Sequence, residues 1–127
     1  MQPPTVLIAD DDPVTMYLLR HCLTRAGFRV CCALDGREAL SLMQQEAPEL
    51  VVLDVMMPVM DGLEVLRRAK ADPRLRGIPV IMVTSREQDS DILEAVKIGA
   101  VDYLVKPFAP TDFLARAARI IAERRAA

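Results

Sequence analysis

Apolar segments alternate with amphipathic segments along the whole chain. Five short, mainly aliphatic runs predict strands over 5–9, 28–34, 50–54, 78–84 and 102–105. The longer segments between and after them carry apolar residues at helical spacing and predict helices over about 13–26, 37–46, 62–71, 89–98 and 110–124. Strands that are apolar on both faces and alternate with helices are typical of a parallel sheet covered on both sides. The pattern therefore predicts an α/β fold with a single five-stranded parallel sheet.

Residues with strong positional preferences support the ends of the first two helices. Asp12 is a good N-cap, Pro13 suits the first helical position, and Gly27 is a good stop. The Asp35-Gly36 pair predicts the turn before the second helix. The apolar stripe expected on the first helix consists of Val14, Leu18, Leu19, Cys22, Leu23 and Ala26.

Composition limits the classes of protein that the chain can represent. Its 127 residues are 52% apolar, which predicts one globular domain over 1–127. The formal charge of −2, with acids and bases interspersed, argues against direct nucleic acid binding. No apolar run approaches the roughly 20 residues of a membrane span, so we expect a cytoplasmic protein without a membrane partner. The final "IIAERRAA" fits either a native C-terminus or the start of a linker to an effector domain.

The cysteines and the single histidine carry no recognisable site. Cys22, Cys31 and Cys32 lack metal-ligand spacing, so we expect small buried hydrophobes in a reducing cytoplasm rather than a redox or zinc site. His21 is expected on the surface, because one histidine cannot build a histidine-rich metal site.

Polar residues lie at, or directly after, the carboxyl ends of four of the predicted strands. They are Asp10 and Asp11, Asp54, Thr84, and Lys106. The carboxyl edge of an open parallel sheet is where ligands bind, so these side chains are expected to converge. Three carboxylates repel one another unless a cation neutralises them, and hard carboxylate oxygens with room for water suit Mg²⁺.

The same group of residues also suits phosphoryl chemistry. A lysine ammonium and a threonine hydroxyl interact well with phosphoryl oxygens, and carboxylates form aspartyl-phosphates. Each residue taken alone has an ordinary interpretation: a helix cap, a strand-end hydroxyl or a solvated charge. For Asp12 we favour the helix cap. Four strand ends on one sheet edge favour a shared site for the others.

Four segments resemble the receiver domain of two-component response regulators. They are "VLIADDDP", "VVLDVMMPVMDG", "VIMVTS" and "GAVDYLVKPF", which occur in the family's order and at its normal spacing. The resemblance covers essentially the whole chain. It implies a flavodoxin-like fold with strand order 2-1-3-4-5 and five helices on both faces of the sheet.

The resemblance also implies roles for individual residues around the phosphoacceptor. Asp54 is similar to the aspartate that accepts the phosphoryl group. Asp11 and Asp54 are expected to bind Mg²⁺ directly, together with the backbone carbonyl of Met56, and Asp10 through water. Met56 and Arg86 occupy positions that vary in the family and are expected to tune the lifetime of the phosphorylated state.

Further residues are implied in phosphoryl binding and switching. Thr84 and Lys106 are similar to the hydroxyl and ammonium that contact the phosphoryl group. Thr84 and Tyr103 are similar to the switch pair, in which the aromatic ring turns inward when the threonine moves. The Lys106–Pro107 bond is expected to be cis.

The resemblance implies that the chain acts as a signalling phosphoacceptor rather than as an enzyme beyond self-phosphorylation and self-dephosphorylation. A sensor histidine kinase or phosphotransfer protein would donate the phosphoryl group, and the output face would comprise the fourth helix, fifth strand and fifth helix. Charged residues on that face predict a phosphorylation-dependent homodimer or partner surface, with ordinary solvated charges as the alternative. These residues are Lys97, Asp102, Arg116 and Arg119.

The alternative function is a Mg²⁺-dependent aspartate-nucleophile phosphatase. Phosphatases of the haloacid-dehalogenase type need a second acid two residues after the nucleophile, where this chain has Met56, and the sequence has no cap insertion. A nucleotide-binding module is disfavoured because the sequence contains neither G-x-G-x-x-G nor G-x-x-x-x-G-K.

Overall fold

The computed structural model describes residues 2–85 and 89–127. The strands are β1 (Thr5–Ala9), β2 (Arg29–Ala33), β3 (Leu50–Asp54), β4 (Val80–Thr84) and β5 (Asp102–Val105). The helices are α1 (Pro13–Arg25), α2 (Gly36–Glu46), α3 (Gly62–Ala71), α4 (Asp89–Ile98) and α5 (Pro110–Ala126). The strands form one parallel sheet in the order β2-β1-β3-β4-β5, which confirms the predicted architecture.

The strand register brings the carboxyl ends of four strands to one edge of the sheet. Ala9 of β1 pairs with Leu53 of β3, so Asp10 and Asp54 follow paired residues of adjacent strands. On the other side of β3, Asp54 pairs with Val83, one residue before the end of β4. The polar residues at these strand ends are therefore neighbours, as the sequence predicts.

The sheet separates two hydrophobic cores. On one face, alternate strand residues such as Leu53 and Met82 pack against residues of α2, α3 and α4. On the other, residues such as Ile8 pack against α1 and α5, where Phe113 is fully buried. Every residue of β3 is buried, in agreement with its unbroken apolar sequence up to Asp54. Burying one such aliphatic side chain stabilises the fold by about 1.5–3 kcal/mol.

The predicted apolar stripe of α1 is partly wrong. Leu19 and Leu23 are buried as expected, but the third buried residue is Met16. Val14 and Leu18 are 65% and 50% exposed. The helix is apolar around much of its circumference, and the face that meets the sheet runs through Met16, Leu19 and Leu23 rather than along the line that starts at Val14.

The element boundaries agree with the sequence prediction to within two residues. The N-cap side chains of Asp12 and Asp35 accept hydrogen bonds from the Val14 and Glu38 N–H groups at 3.2 and 2.8 Å. β4 begins at Val80 rather than at residue 78. The preceding Pro79 has no N–H to donate to a ladder, although its carbonyl accepts from the Val51 N–H at 3.0 Å.

The cysteines are free and half-buried, so they are less enclosed than expected. Burial raises the pKa of the Cys31 thiol to about 11, which is the behaviour of a structural rather than a reactive thiol. His21 is exposed, as predicted, and its ring stacks on Tyr17. Within residues 2–85 and 89–127, none of the helices combines the length and hydrophobicity that a membrane span requires.

Candidate functional site

The candidate site lies at the carboxyl edge of the sheet, where the strands end and loops begin. Asp10 follows β1 directly, Asp54 and Thr84 are the last residues of β3 and β4, and Lys106 follows β5. Asp10, Asp54 and Thr84 are buried, Lys106 is half-buried, and Asp11 is exposed. The bottom of the site is therefore formed by buried polar side chains, and the Asp11 carboxylate is exposed to solvent.

The Lys106 ammonium links the two buried carboxylates. Its Nζ atom lies 3.1 Å from Asp10 Oδ2 and 3.3 Å from Asp54 Oδ2. Backbone N–H groups contact the other oxygens: the Asp12 N–H donates to Asp10 Oδ1 at 2.9 Å, and the Met56 N–H donates to Asp54 Oδ1 at 3.3 Å. The peptide bond after this lysine, Lys106–Pro107, is cis, as the resemblance implies.

Burial and neighbouring charges shift the pKa values of Asp54 and Lys106. Burial and the nearby Asp10 charge raise the pKa of the Asp54 carboxyl to about 6, although Lys106 opposes both effects. Burial lowers the pKa of the Lys106 ammonium, but hydrogen bonds and charges from Asp10 and Asp54 outweigh it, and the pKa is raised. One cation thus stabilises two carboxylates incompletely, and the site has an excess of negative charge.

Three carboxylates form a candidate metal site. One oxygen from each of Asp10, Asp11 and Asp54 lies within 4.8 Å of the others. All the donors are hard oxygens, and the exposure of Asp11 leaves room for the water ligands that Mg²⁺ usually retains. The donor set therefore fits a small divalent cation such as Mg²⁺.

The loop from Val55 to Asp61 follows Asp54 and has an unusual backbone. Val59 has φ +70°, and the Met60 N–H donates to the Pro58 carbonyl at 2.7 Å, which closes a γ-turn around Val59. Positive φ is costly for a β-branched residue. The sequence does not predict this turn, because proline at position 58 followed by valine is not a pattern typical of it.

Thr84 is connected through the backbone to the strand that carries Tyr103. The Lys106 N–H donates to the Thr84 carbonyl at 2.8 Å, and the Thr84 hydroxyl donates to the Ser85 carbonyl at 3.3 Å. Tyr103 is 41% exposed, so its ring lies on the surface of β5. Arg86 lies outside the described residues.

The charged residues of the predicted output face are partly paired within the chain. Arg116 Nη1 lies 2.9 Å from Asp102 Oδ1 and also donates to the Tyr103 carbonyl at 3.2 Å. Arg119 lies 3.9 Å from the other oxygen of Asp102. Lys97 is exposed in the last turn of α4. These pairs hold β5 against α5 beside Tyr103.

Known proteins are similar to this chain in both sequence and fold. The chain is 37% identical over 116 residues to the alkaline phosphatase synthesis transcriptional regulatory protein PhoP of Bacillus subtilis, covering 91% of this chain and 48% of that protein. The chain thus spans about half the length of the curated relatives that it matches.

Two solved structures extend the comparison to three dimensions. A CheY-like response regulator receiver domain protein from Methanospirillum hungatei JF-1 has a TM-score of 0.90 and 28% identity, with 97% of each chain covered. The receiver domain of the sensor histidine kinase PA1611 from Pseudomonas aeruginosa PAO1 has a TM-score of 0.86 and 27% identity, covering 94% of this chain and 98% of that one. That structure contains a magnesium ion coordinated in its active-site cleft.

A family model extends the match along nearly the whole chain. The model of the response regulator receiver domain matches residues 6–118, a range that includes every residue of the candidate site and the whole sheet except Thr5. The protein belongs to the response regulator receiver domain family.

Proposed function

We propose that Asp54 accepts a phosphoryl group from the phosphohistidine of a sensor histidine kinase or phosphotransfer protein, in a reaction that requires Mg²⁺. The observation that carries this proposal is the convergence of three carboxylate oxygens within 4.8 Å, with the Lys106 ammonium 3.3 Å from Asp54. The magnesium ion of the Pseudomonas aeruginosa receiver domain supports the same metal here.

Each residue of the site has a task in this transfer. The Asp54 carboxylate forms a bond to phosphorus as the phosphorus–nitrogen bond of the donor breaks, and the imidazole leaves with its electron pair. Asp11, Asp54 and the Met56 carbonyl would hold Mg²⁺ directly, and Asp10 would hold it through water. The metal would neutralise charge on the phosphoryl oxygens. Lys106 and Thr84 would contact the same oxygens from the protein side.

Phosphorylation would be read at the face formed by α4, β5 and α5. A Thr84 hydroxyl drawn toward the phosphoryl group vacates space beside β5, and the exposed Tyr103 ring would turn inward to fill it. The Arg116–Asp102 pair lies beside this ring and would reorganise with it. A second copy of the chain or a downstream partner would bind the changed face.

The relatives support a proposal about the larger protein in which the chain acts. Because the chain matches about half of each, we propose that residues 1–127 act as the receiver of a cytoplasmic regulator whose output belongs to an effector domain or a separate partner.

Asp54→Asn tests the acceptor assignment. Incubation of the native protein with acetyl phosphate and Mg²⁺ is expected to add one phosphoryl group on Asp54, whereas the variant stays unmodified because its amide is a poor nucleophile. Intact-mass and peptide mass spectrometry measure both the amount and the position.

Two results contradict the proposal. A phosphoryl group on another residue rules out Asp54 as the acceptor. Release of many phosphate molecules per protein from a generic phosphomonoester favours the phosphatase alternative. Omission of Mg²⁺ is the matched control and is expected to prevent the modification.

A further inference from the structure

The loop from Val55 to Asp61 makes a close backbone contact with the start of α2. A Cβ atom on Gly36 would lie 2.0 Å from the Met60 carbonyl oxygen and 2.8 Å from its carbonyl carbon. These are main-chain atoms, so they cannot yield as the end of a flexible side chain does. Any side chain at residue 36 must therefore displace either α2 or the Met60 peptide.

The start of α2 is the fixed side of this contact. The Glu38 N–H donates to Asp35 Oδ1 at 2.8 Å, and the Leu34 N–H donates to Glu38 Oε1 at 2.7 Å. Asp35 is the N-cap of α2, and Glu38 accepts from the residue before it, so the arrangement resembles a capping box and stabilises the helix start. A side chain on Gly36 is therefore expected to move the Met60 peptide rather than the helix.

The loop is closed, so a displacement at Met60 reaches the acceptor. The Gly62 N–H donates to the Val55 carbonyl at 2.9 Å, which joins the two ends of the loop. A Cβ atom on Gly62 would lie 2.2 Å from the Asp54 carbonyl oxygen, so the loop returns directly onto the acceptor's backbone. Inside the loop, the Met56 N–H donates to Asp54 Oδ1 at 3.3 Å.

We propose that Gly36 is a positioning residue for the Mg²⁺ site. By letting the Met60 peptide approach α2, it sets where the closed loop holds the Met56 carbonyl and the Asp54 carboxylate. This inference rests on the proposed function, since it assumes that these two groups bind the metal. Gly36 itself contacts neither Mg²⁺ nor the phosphoryl group.

Gly36→Ala tests this role, with Gly77→Ala as its matched control. A Cβ atom on Gly77 meets nothing within 4 Å, so the control makes the same change in open space. Two quantities are measured: the affinity for Mg²⁺ alone, by calorimetric titration, and amide hydrogen exchange over 55–61 in the metal-free protein. Gly36→Ala is expected to weaken Mg²⁺ binding about tenfold or more and to speed exchange in the loop. Gly77→Ala is expected to match the native protein in both.

The two readouts separate positioning from a purely structural role. If Gly36→Ala lowers the unfolding free energy but leaves both Mg²⁺ affinity and loop exchange at native values, the inference is overturned. If the native protein itself does not bind Mg²⁺, the proposed function fails, while loop exchange in the metal-free proteins still decides whether Gly36 positions the loop.

A double variant, Gly36→Ala with Val59→Gly, keeps the test decisive if Gly36→Ala does not fold. Glycine at position 59 adopts many backbone conformations and can absorb the displacement beside Met60 before it reaches Met56. A folded double variant with the Mg²⁺ affinity of Val59→Gly alone supports the inference. A double variant that remains unfolded overturns it, because Gly36 would then support the helix rather than the loop.

Discussion

Asp54 is buried, although the proposed phosphoryl transfer requires that a donor reach its carboxylate. Its carboxylate is buried beside a second buried acid, and one lysine serves both. The raised pKa of Asp54, about 6, measures the cost of keeping that carboxylate charged. Strain of this electrostatic kind is common at functional sites, where the incoming cation relieves it.

Asp54→Asn is therefore expected to change how stability depends on pH. The pKa of the folded carboxyl is about 6, above its ordinary 3.8. As pH falls through 6 toward 4, the folded protein takes up a proton that the unfolded chain does not yet bind, so folding becomes more favourable. Relative to Asp54→Asn, the native protein should gain about 1–3 kcal/mol of unfolding free energy over this range.

Urea denaturation of both proteins in chelator at about pH 7.5 and pH 4.5 measures this gain. Comparison with the variant cancels the titration of groups distant from Asp54. A stability difference that is the same at both pH values would show that Asp54 ionises in the fold as it does in the unfolded chain.

Met56 lies beside the proposed acceptor and is open to solvent. The residue is 60% exposed, while its N–H contacts the Asp54 carboxylate. A thioether is only a weak hydrogen-bond acceptor, so it orients a hydrolytic water poorly. We expect slow loss of the phosphoryl group in the native protein and several-fold faster loss in Met56→Asn, whose amide can hold that water.

The time course of phosphoryl loss after removal of the donor, at one Mg²⁺ concentration and pH, provides the measurement. Leu34→Asn is a suitable control, because it adds the same amide at another exposed position after β2. Equal rates in the native protein and Met56→Asn would show that methionine does not set the lifetime.

At the scale of elements, the sequence was informative wherever burial alone decides structure. The inner strands β1, β3 and β4 are largely buried on both faces and so had to be apolar, and Asp12 and Asp35 marked helix starts by local hydrogen bonding. The edge strands β2 and β5 are less buried, and they were recognised as short, mainly apolar runs that alternate with helices. The convergence of Asp10, Asp54 and Lys106 was predictable for a different reason: the carboxyl ends of parallel strands lie at one edge of the sheet.

Features that depend on contacts between distant segments were not predictable from the sequence. The buried face of α1 was assigned incorrectly at Val14 and Leu18, because several overlapping stripes of that helix are apolar and only packing selects one. The γ-turn at Val59 contradicts the local preference of valine. It persists because Met60 is held between the loop's own closure and Gly36. The roles of Thr84 and Tyr103 in switching remain predictions.

At the scale of the whole molecule, the helices differ in how firmly the fold holds them. The start of α2 is held by the reciprocal hydrogen bonds of Asp35 and Glu38 and makes a close backbone contact with the loop from Val55 to Asp61. Of the α4 side chains that the structure describes, Ala95 alone is buried, and Leu93 and Val96 are exposed. An element with few buried contacts opens at low free-energy cost, so α4 is better suited than α2 to change its arrangement.

Phosphorylation is therefore expected to change amide exchange over 89–120 and to leave 36–46 nearly unchanged. Allosteric coupling of about 1–3 kcal/mol corresponds to changes of about 5- to 150-fold in a local equilibrium. The signal would pass from Thr84 through β5 to Tyr103, and from there to α5 through the Arg116–Asp102 pair. Hydrogen exchange read by mass spectrometry, with and without acetyl phosphate and Mg²⁺, measures both segments. Asp54→Asn treated identically controls for effects of the donor and metal. Exchange over 89–120 that stays constant in the phosphorylated protein would place the output elsewhere, and a larger change over 36–46 would place it at α2.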